Sequence, residues 1–123
     1  MLKEIKFRAW HKEKHKMFEV QKMSFKTGKI LPYGWNMEHD GIEFELMQYT
    51  GLKDKNGKEV FEGDIVTDGT INYVVAFYAG SWRLKQNIDG DTWWKSLYRY
   101  VANFKVEVIG NVYENPAFLK EGK

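Results

Sequence analysis

Residues 48–59, QYTGLKDKNGKE, lie in the middle of the chain and decide its fold. Asn56 and Gly57 tolerate the positive φ angles of tight turns, so this stretch predicts a hairpin turn. Residues 62–66, EGDIV, predict a second turn whose apolar pair then enters a strand. We expect Asp64 to accept hydrogen bonds from backbone N–H groups in that turn. Turns so closely spaced favour short strands over helices.

Alternating apolar and polar residues, and runs rich in β-branched and aromatic residues, predict strands on both sides of this stretch. The predicted strands are Lys3–Trp10, Met17–Phe25, Ile42–Tyr49, Thr70–Tyr78, Trp82–Ile88 and Phe104–Ile109. Residues 92–100 follow neither the helical nor the strand period, so we expect an irregular segment, or one helical turn followed by a strand. Asn115 and Pro116 predict the start of a short helical turn over Ala117–Glu121.

Short strands with a turn signal about every 8–12 residues are typical of a small all-β barrel or sandwich. We therefore predict an all-β fold with an N-terminal β region over residues 1–48, containing a basic hairpin and a variable loop. Residues 49–123 are predicted to form a barrel domain with a short C-terminal turn. The variable loop, Lys26–Asp40, is the least compact stretch and is expected to divide the hairpin from the barrel. Gly110 and Asn111 are expected to break the last long strand.

Composition excludes several classes of protein. The chain has 123 residues and no Cys, which excludes a disulfide scaffold, a thiol nucleophile and a zinc–thiolate site. No apolar run approaches the roughly 18 residues that a membrane span requires. We therefore expect a soluble, intracellular protein that does not insert into membranes.

The small net charge of +2 hides an uneven distribution. Residues 1–30 contain 9 Lys and Arg against 3 Glu, whereas the remainder contains 10 basic and 14 acidic residues. Either the basic and acidic parts attract each other, within one chain or between subunits, or the basic part binds an acidic partner such as nucleic acid.

Three blocks of this sequence resemble the YopX-like family of phage and prophage proteins from Gram-positive bacteria. They are residues 6–10 (KFRAW), residues 48–59 continued by residues 62–66, and residues 108–116 (VIGNVYENP). The resemblance implies a C-terminal SH3-like barrel, a phage or prophage origin and a location in the host cytoplasm. It implies no activity, and it carries no catalytic residue over to this chain.

Metal and acid–base sites are not predicted. His11 and His15 are four residues apart, but they fall in a charged hairpin loop without a third ligand nearby in sequence. His39 lies in a polar loop and is expected to be solvated. Glu43 and Glu45 share a strand face, which the alternating pattern makes a solvated face rather than a carboxylate pair.

Calcium and nucleophile motifs are also incomplete. Residues 87–91 and 54–57 resemble parts of a calcium loop, but neither register places Gly at the sixth position and Glu at the twelfth. Both are predicted to be hairpin turns. No Ser has the context of a nucleophile elbow, and no Gly-rich phosphate loop is present. We therefore predict that the protein is not an enzyme and has no catalytic residues, metal or cofactor.

The remaining hypothesis is recognition of a partner. The surplus of Trp and Tyr beside basic residues is typical of subunit interfaces, and also of surfaces that stack single-stranded bases. We predict a protein-binding or self-associating module, a homo-oligomer with a phage or host protein as a further partner; the alternative is binding of single-stranded nucleic acid. The candidate surface residues are Lys6, Arg8, Trp10, Trp82, Arg83, Trp93, Trp94, Lys95, Tyr98 and Arg99.

Overall fold

The computed structural model describes residues 4–103 and 105–119 of the chain. It divides the chain into two compact units, with the boundary between Tyr49 and Thr50. Both units are built almost entirely from antiparallel strands. The prediction of an all-β fold is therefore confirmed.

The first unit is a sheet with the strand order β4-β3-β2-β1-β5. Each strand pairs antiparallel with its neighbours, and β1 and β2 form the N-terminal hairpin. Its core contains buried Ala9, Ile30 and Phe44, against which Val20, Met23 and Trp35 pack. The elements are β1 (Phe7–His11), β2 (Lys16–Met23), β3 (Lys29–Pro32), β4 (His39–Asp40), a 3-10 turn (Gly41–Glu43) and β5 (Phe44–Lys53), which continues into the second unit.

The predicted role of Lys26–Asp40 as a dividing loop is wrong. This segment contains β3 and β4, and its Ile30 side chain is almost completely buried in the first core. Trp35 packs on the same core. The free energy gained by packing these two apolar side chains on the core favours an ordered segment. The turn-forming residues around them bend the chain between the paired strands.

The second unit contains a five-stranded sheet with the order β10-β9-β8-β7-β11. The last part of β5 pairs with β6. Buried Val60, Val66, Tyr73, Val75, Leu84, Leu97 and Val106 form its core. The elements are β6 (Glu59–Phe61), β7 (Asp64–Thr67), β8 (Asn72–Tyr78), β9 (Ser81–Ile88), β10 (Asp91–Ser96), α1 (Leu97–Ala102), β11 (Glu107–Asn111) and a 3-10 turn (Pro116–Leu119).

The predicted SH3-like barrel is not confirmed, because the described residues form open sheets and no closed barrel. The predicted short C-terminal turn is present as a 3-10 turn over Pro116–Leu119. Parts of three predicted segments lie outside the described residues: Lys3, Phe104, and residues 120 and 121.

The predicted order of elements in residues 92–100 is wrong: the strand precedes the helical turn. Asp89 and Gly90 both have positive φ and form a tight turn that pairs β10 with β9. Ser96 then caps α1, because its side chain accepts a hydrogen bond from the backbone N–H of Arg99. Leu97 anchors the helix in the core. Strand pairing and helix capping therefore determine the structure of residues 92–100, which their hydrophobic periodicity does not predict.

Asp54 holds the central turn together. Its side chain is buried, and one carboxylate oxygen accepts hydrogen bonds from the N–H groups of Asn56 at 2.9 Å and Lys58 at 2.8 Å. The other oxygen accepts from the Val108 N–H at 2.8 Å. Gly57 has φ +82°, as the predicted turn requires. The carboxylate therefore joins a local turn to a strand 54 residues further along the chain.

Asp64 and Asn111 act in a similar way at two other corners. Asp64 is buried and accepts a hydrogen bond from the Phe61 N–H at 2.7 Å, which confirms the predicted role of its carboxylate. The Asn111 side chain accepts from the N–H groups of Tyr113 and Glu114. β11 ends at Asn111, as expected from Gly110 and Asn111, and its pairing with β7 shifts register between Val108 and Gly110.

Asp54→Asn is expected to lower the free energy of unfolding by about 3 kcal/mol, since the amide places an N–H₂ group against backbone donors. Urea unfolding followed by far-UV circular dichroism measures the change. Asp89→Asn is the matched control, because Asp89 is exposed at φ +50°, where Asn is well tolerated; its change should stay within about 0.5 kcal/mol. Equal losses in the two variants would contradict the role of Asp54.

The Asp68 carboxyl makes the stability of the second unit depend on pH. Burial raises the pKa of this carboxyl, but hydrogen bonds from the N–H groups of Ile71 and Thr70 and from the Tyr73 hydroxyl outweigh burial and hold the pKa below 3.8. A carboxyl with a lowered folded-state pKa stabilises the fold above the unfolded-state pKa, and this contribution is lost as the pH falls.

Asp68→Asn should therefore destabilise the protein at pH 7 more than at pH 3. Urea midpoints measured at both pH values test this, because the wild type loses the contribution of Asp68 below about pH 4 and the variant never has it. A difference between the two proteins that is equal at pH 7 and pH 3 would contradict the assignment.

Candidate interaction surface

The surface is carried by the three consecutive strands β8, β9 and β10. Two-residue turns at Ala79-Gly80 and Asp89-Gly90 join them, and all four turn residues have positive φ. Such turns match the natural twist of a hairpin and fix its register. Leu84 consequently lies between Val75 on β8 and Lys95 on β10.

One face of this sheet continues outward from the core. Leu84 is buried, and next to it Trp82 packs on the core while its ring meets Phe77 edge-on at 5.1 Å between centroids. Farther from Leu84, large side chains on the same face are exposed to solvent: Phe77 is 57% exposed and Trp93 is 56% exposed. Large apolar side chains therefore extend past the end of the core into solvent.

The opposite face carries a stacked aromatic pair beside basic side chains. The rings of Tyr78 and Trp94 lie parallel at 4.2 Å with an interplanar angle of 2°. The Nζ atom of Lys85 lies 6.0 Å from the Trp94 ring centroid. Arg83 donates from Nε to the Tyr78 carbonyl at 2.9 Å and to Ser81 Oγ at 3.0 Å. This face can present a flat aromatic surface with positive charge next to it.

The structure distributes the predicted surface residues of the second unit over both faces and the helix. Trp82, Trp93 and Lys95 share the face that continues the core, because their partners across the strands lie on that face. Arg83 and Trp94 lie on the opposite face. The remaining two, Tyr98 and Arg99, are exposed on α1. The adjacent pair Trp93-Trp94 is therefore split, since neighbouring residues of a strand point to opposite faces.

The other three predicted residues belong to the first unit and lie in or next to β1. The Trp10 ring stacks on His15 at 6.0 Å. Lys6 pairs with Glu4 at 3.0 Å, and its Nζ lies 5.7 Å from the Tyr49 ring centroid. Arg8 is half-buried. Lys6 and Trp10 therefore contact side chains of their own unit.

A polar cluster in the first unit was missed by sequence reasoning. His11 is 4% exposed, ends β1, and packs its ring edge-on against Phe44 at 5.0 Å. Its Nδ1 accepts from the Lys14 N–H at 3.0 Å, so the ring proton lies on Nε2, which donates to Glu43 at 3.3 Å. His39 Nδ1 lies 3.4 Å from the same carboxylate oxygen. A carboxylate is thus held between two imidazoles.

This cluster corrects three expectations. His11 is not in the solvated hairpin loop, and His39 is half-buried against Trp35, with ring centroids 4.6 Å apart. Glu43 and Glu45 do not share a strand face, because Glu43 lies in the 3-10 turn that precedes β5. The available signal was that His11 follows Phe7 and Ala9 at alternate positions of β1, on the face that is buried.

The described part of the chain contains no group of three or more His, Cys, Asp or Glu side chains arranged to hold a metal ion. Over the same residues, no helix has both the length and the apolar character needed to cross a membrane.

Comparison with known proteins identifies the family. The YopX protein family matches residues 6–120. The chain belongs to the YopX family. All three blocks noted in the sequence fall within the matched range, so the resemblance drawn from them is confirmed.

A solved relative of this YopX family member shares its fold. The crystal structure of protein EF1440 from Enterococcus faecalis superposes with a TM-score of 0.62 at 27% sequence identity. The match covers 95% of this chain and 99% of that chain. No curated protein matches the sequence.

Proposed function

We propose that this chain is a phage- or prophage-encoded, non-enzymatic protein-binding module that self-associates in the host cytoplasm. Its interaction surface is the outer part of β8, β9 and β10, including the exposed start of α1. Membership of the YopX family supports the phage or prophage origin. The lack of Cys and of a nucleophile or phosphate-loop motif in the sequence supports a role in binding rather than catalysis.

The concentration of exposed aromatic side chains carries this proposal. Phe77, Tyr78, Trp93 and Tyr98 are each more than half exposed, and all lie between residues 77 and 98. Exposed Trp and Tyr are enriched at protein interfaces because their rings bury a large apolar area and keep a polar atom for hydrogen bonding. Phe77 and Trp93 lie on one face of the sheet, Tyr78 lies on the opposite face and Tyr98 on α1, so the proposed surface includes both faces of the outer strands.

Trp93→Ser and Tyr98→Ser are expected to weaken self-association by about tenfold each, as loss of an interface aromatic typically costs more than about 1 kcal/mol. Sedimentation velocity over a range of protein concentrations measures the effect. Phe25→Ser is the matched control, because Phe25 is 90% exposed in the first unit and lies away from the proposed surface in sequence. An unchanged association in the Trp93 and Tyr98 variants would overturn the proposed surface.

Single-stranded nucleic acid is a second candidate partner, and the stacked face favours it. Tyr78 and Trp94 present parallel rings, with Lys85 beside Trp94 and Arg83 on the same face. Bases stack on such rings while Lys and Arg contact the phosphates. The inner faces of the two rings stack on each other, so a base would stack on the outer face of Tyr78 or of Trp94.

Trp94→Ala is expected to weaken binding of a fluorescent single-stranded oligonucleotide by about tenfold, which corresponds to loss of one stacked base. Fluorescence anisotropy at low and moderate salt measures this, and binding should weaken as salt rises. Trp93→Ala is the control, since Trp93 lies on the other face of β10. Absence of any anisotropy change at tens of micromolar protein would exclude this second function.

A further inference from the structure

β10 is an exposed edge strand that bears two Trp residues. It is the outermost strand on one side of the five-stranded sheet, and five of its six residues are exposed. It contains no Pro, and its pairing with β9 runs without a register shift from Asp91 to Ser96. Natural edge strands carry devices that prevent pairing with another chain, among them a Pro, a bulge or charged side chains. Of these, β10 has only the charged side chains Asp91 and Lys95, whose charges are opposite and can pair with those of a second copy. The edge of β10 is therefore suited to receive a further strand.

The turn before β10 determines which backbone groups face outward. Asp89 and Gly90 form a two-residue loop, so Ile88 and Asp91 are the hydrogen-bonded pair that closes the hairpin. Hydrogen-bonded and non-hydrogen-bonded pairs alternate along an antiparallel ladder. The N–H and C=O groups of Thr92 and Trp94 therefore point away from β9, toward the open edge.

The charges on β10 are symmetric about Trp93. Asp91 and Lys95 each lie two residues from Trp93, on the same face of the strand. If a second, antiparallel copy of this strand pairs about a twofold axis through Trp93, each Asp91 lies directly opposite the Lys95 of the other copy. The same register places Thr92 opposite Trp94, so the outward backbone groups of both copies meet and form hydrogen bonds.

We propose that two copies of this chain pair through β10 in that register and join their five-stranded sheets into one. This rests on the proposed self-association and specifies its geometry. Opposite charges directly across a strand pair stabilise the pairing, and so does an aromatic pair. The twofold axis doubles the charge term and brings the two exposed Trp93 rings together.

Neighbouring registers lack this complementarity. An axis through Thr92 places Asp91 opposite Trp93 and Lys95 opposite Asp89, which lies in the turn outside β10. An axis through Trp94 places Lys95 opposite Trp93 and Asp91 opposite Leu97 of α1, so neither register matches both charges of the strand. Among antiparallel pairings centred on the exposed middle of β10, only the axis through Trp93 matches both charged residues. The occupant of the edge is therefore a second copy in one defined register.

A charge-swap experiment tests this register. Asp91→Lys places Lys opposite Lys in the homodimer, and Lys95→Asp places Asp opposite Asp. Each variant alone is expected to dimerise at least about tenfold more weakly than the wild type in sedimentation velocity at low salt.

In an equimolar mixture, one chain carries two positive charges on this face and the other carries two negative charges. Both contacts then pair a Lys with an Asp, so the mixture is expected to dimerise as well as the wild type, and so is the double variant.

The controls separate charge from folding. Lys26→Asp changes the net charge as Lys95→Asp does, but Lys26 is an exposed residue of the first unit that is not part of the proposed surface, so this variant should dimerise like the wild type. Lys95→Asp also removes a contact of Nζ with the Tyr100 ring, at 5.8 Å from its centroid. Circular dichroism melting therefore accompanies each sample, and a single variant with lowered stability is judged by its behaviour in the mixture.

Three outcomes overturn the inference. If the wild type self-associates but the mixture of variants does not recover, β10 does not pair in this register, while the proposed self-association stands. If both single variants associate like the wild type, the interface lies elsewhere. If the wild type remains a monomer at millimolar concentration, the inference and the proposed self-association fail together.

Discussion

The buried carboxylate of Asp54 is the constraint on which the second unit depends. It accepts hydrogen bonds from Asn56, Lys58 and Val108, so one side chain closes the central turn and fixes the position of β11. By contrast, replacing an apolar core residue by another of similar volume costs little stability. Removing the acceptor of a buried N–H group costs more, because the N–H is then left without a hydrogen-bond partner. Asp64 and Asn111 satisfy backbone N–H groups at further corners.

This dependence on local polar contacts explains which parts of the fold are predictable. A turn such as that at Asn56-Gly57 is encoded within a few residues, and alternation places the long strands. The structure of Lys26–Asp40 depends instead on burial of Ile30 and Trp35 against partners distant in sequence. Likewise, His11 enters the interior because Glu43, 32 residues away, accepts a hydrogen bond from its ring. Single-sequence periodicity contains no information about such distant partners.

The interaction surface is predictable in composition but not in arrangement. The sequence indicates a surplus of aromatic residues near Trp93, yet their division between two faces depends on the register of β9 with β10. That register follows from the tight turn at Asp89-Gly90, and a shift of one residue would exchange the two faces completely. The same turn directs the backbone N–H and C=O groups of Thr92 toward the open edge. One local turn therefore determines which side chains lie on each face of β10 and which of its backbone groups are available to pair with a further strand.

The central claim is that the edge of β10 is where this protein meets a second copy of itself. Amide hydrogen exchange, measured by mass spectrometry at low and at high protein concentration, tests it directly. Pairing is expected to slow exchange at high concentration in peptides that span Asp91–Ser96, because the outward N–H groups of Thr92 and Trp94 become hydrogen-bonded. Exchange in β2 and β3 should be unchanged. Concentration-dependent protection confined to other strands, or absent from β10, would contradict the account.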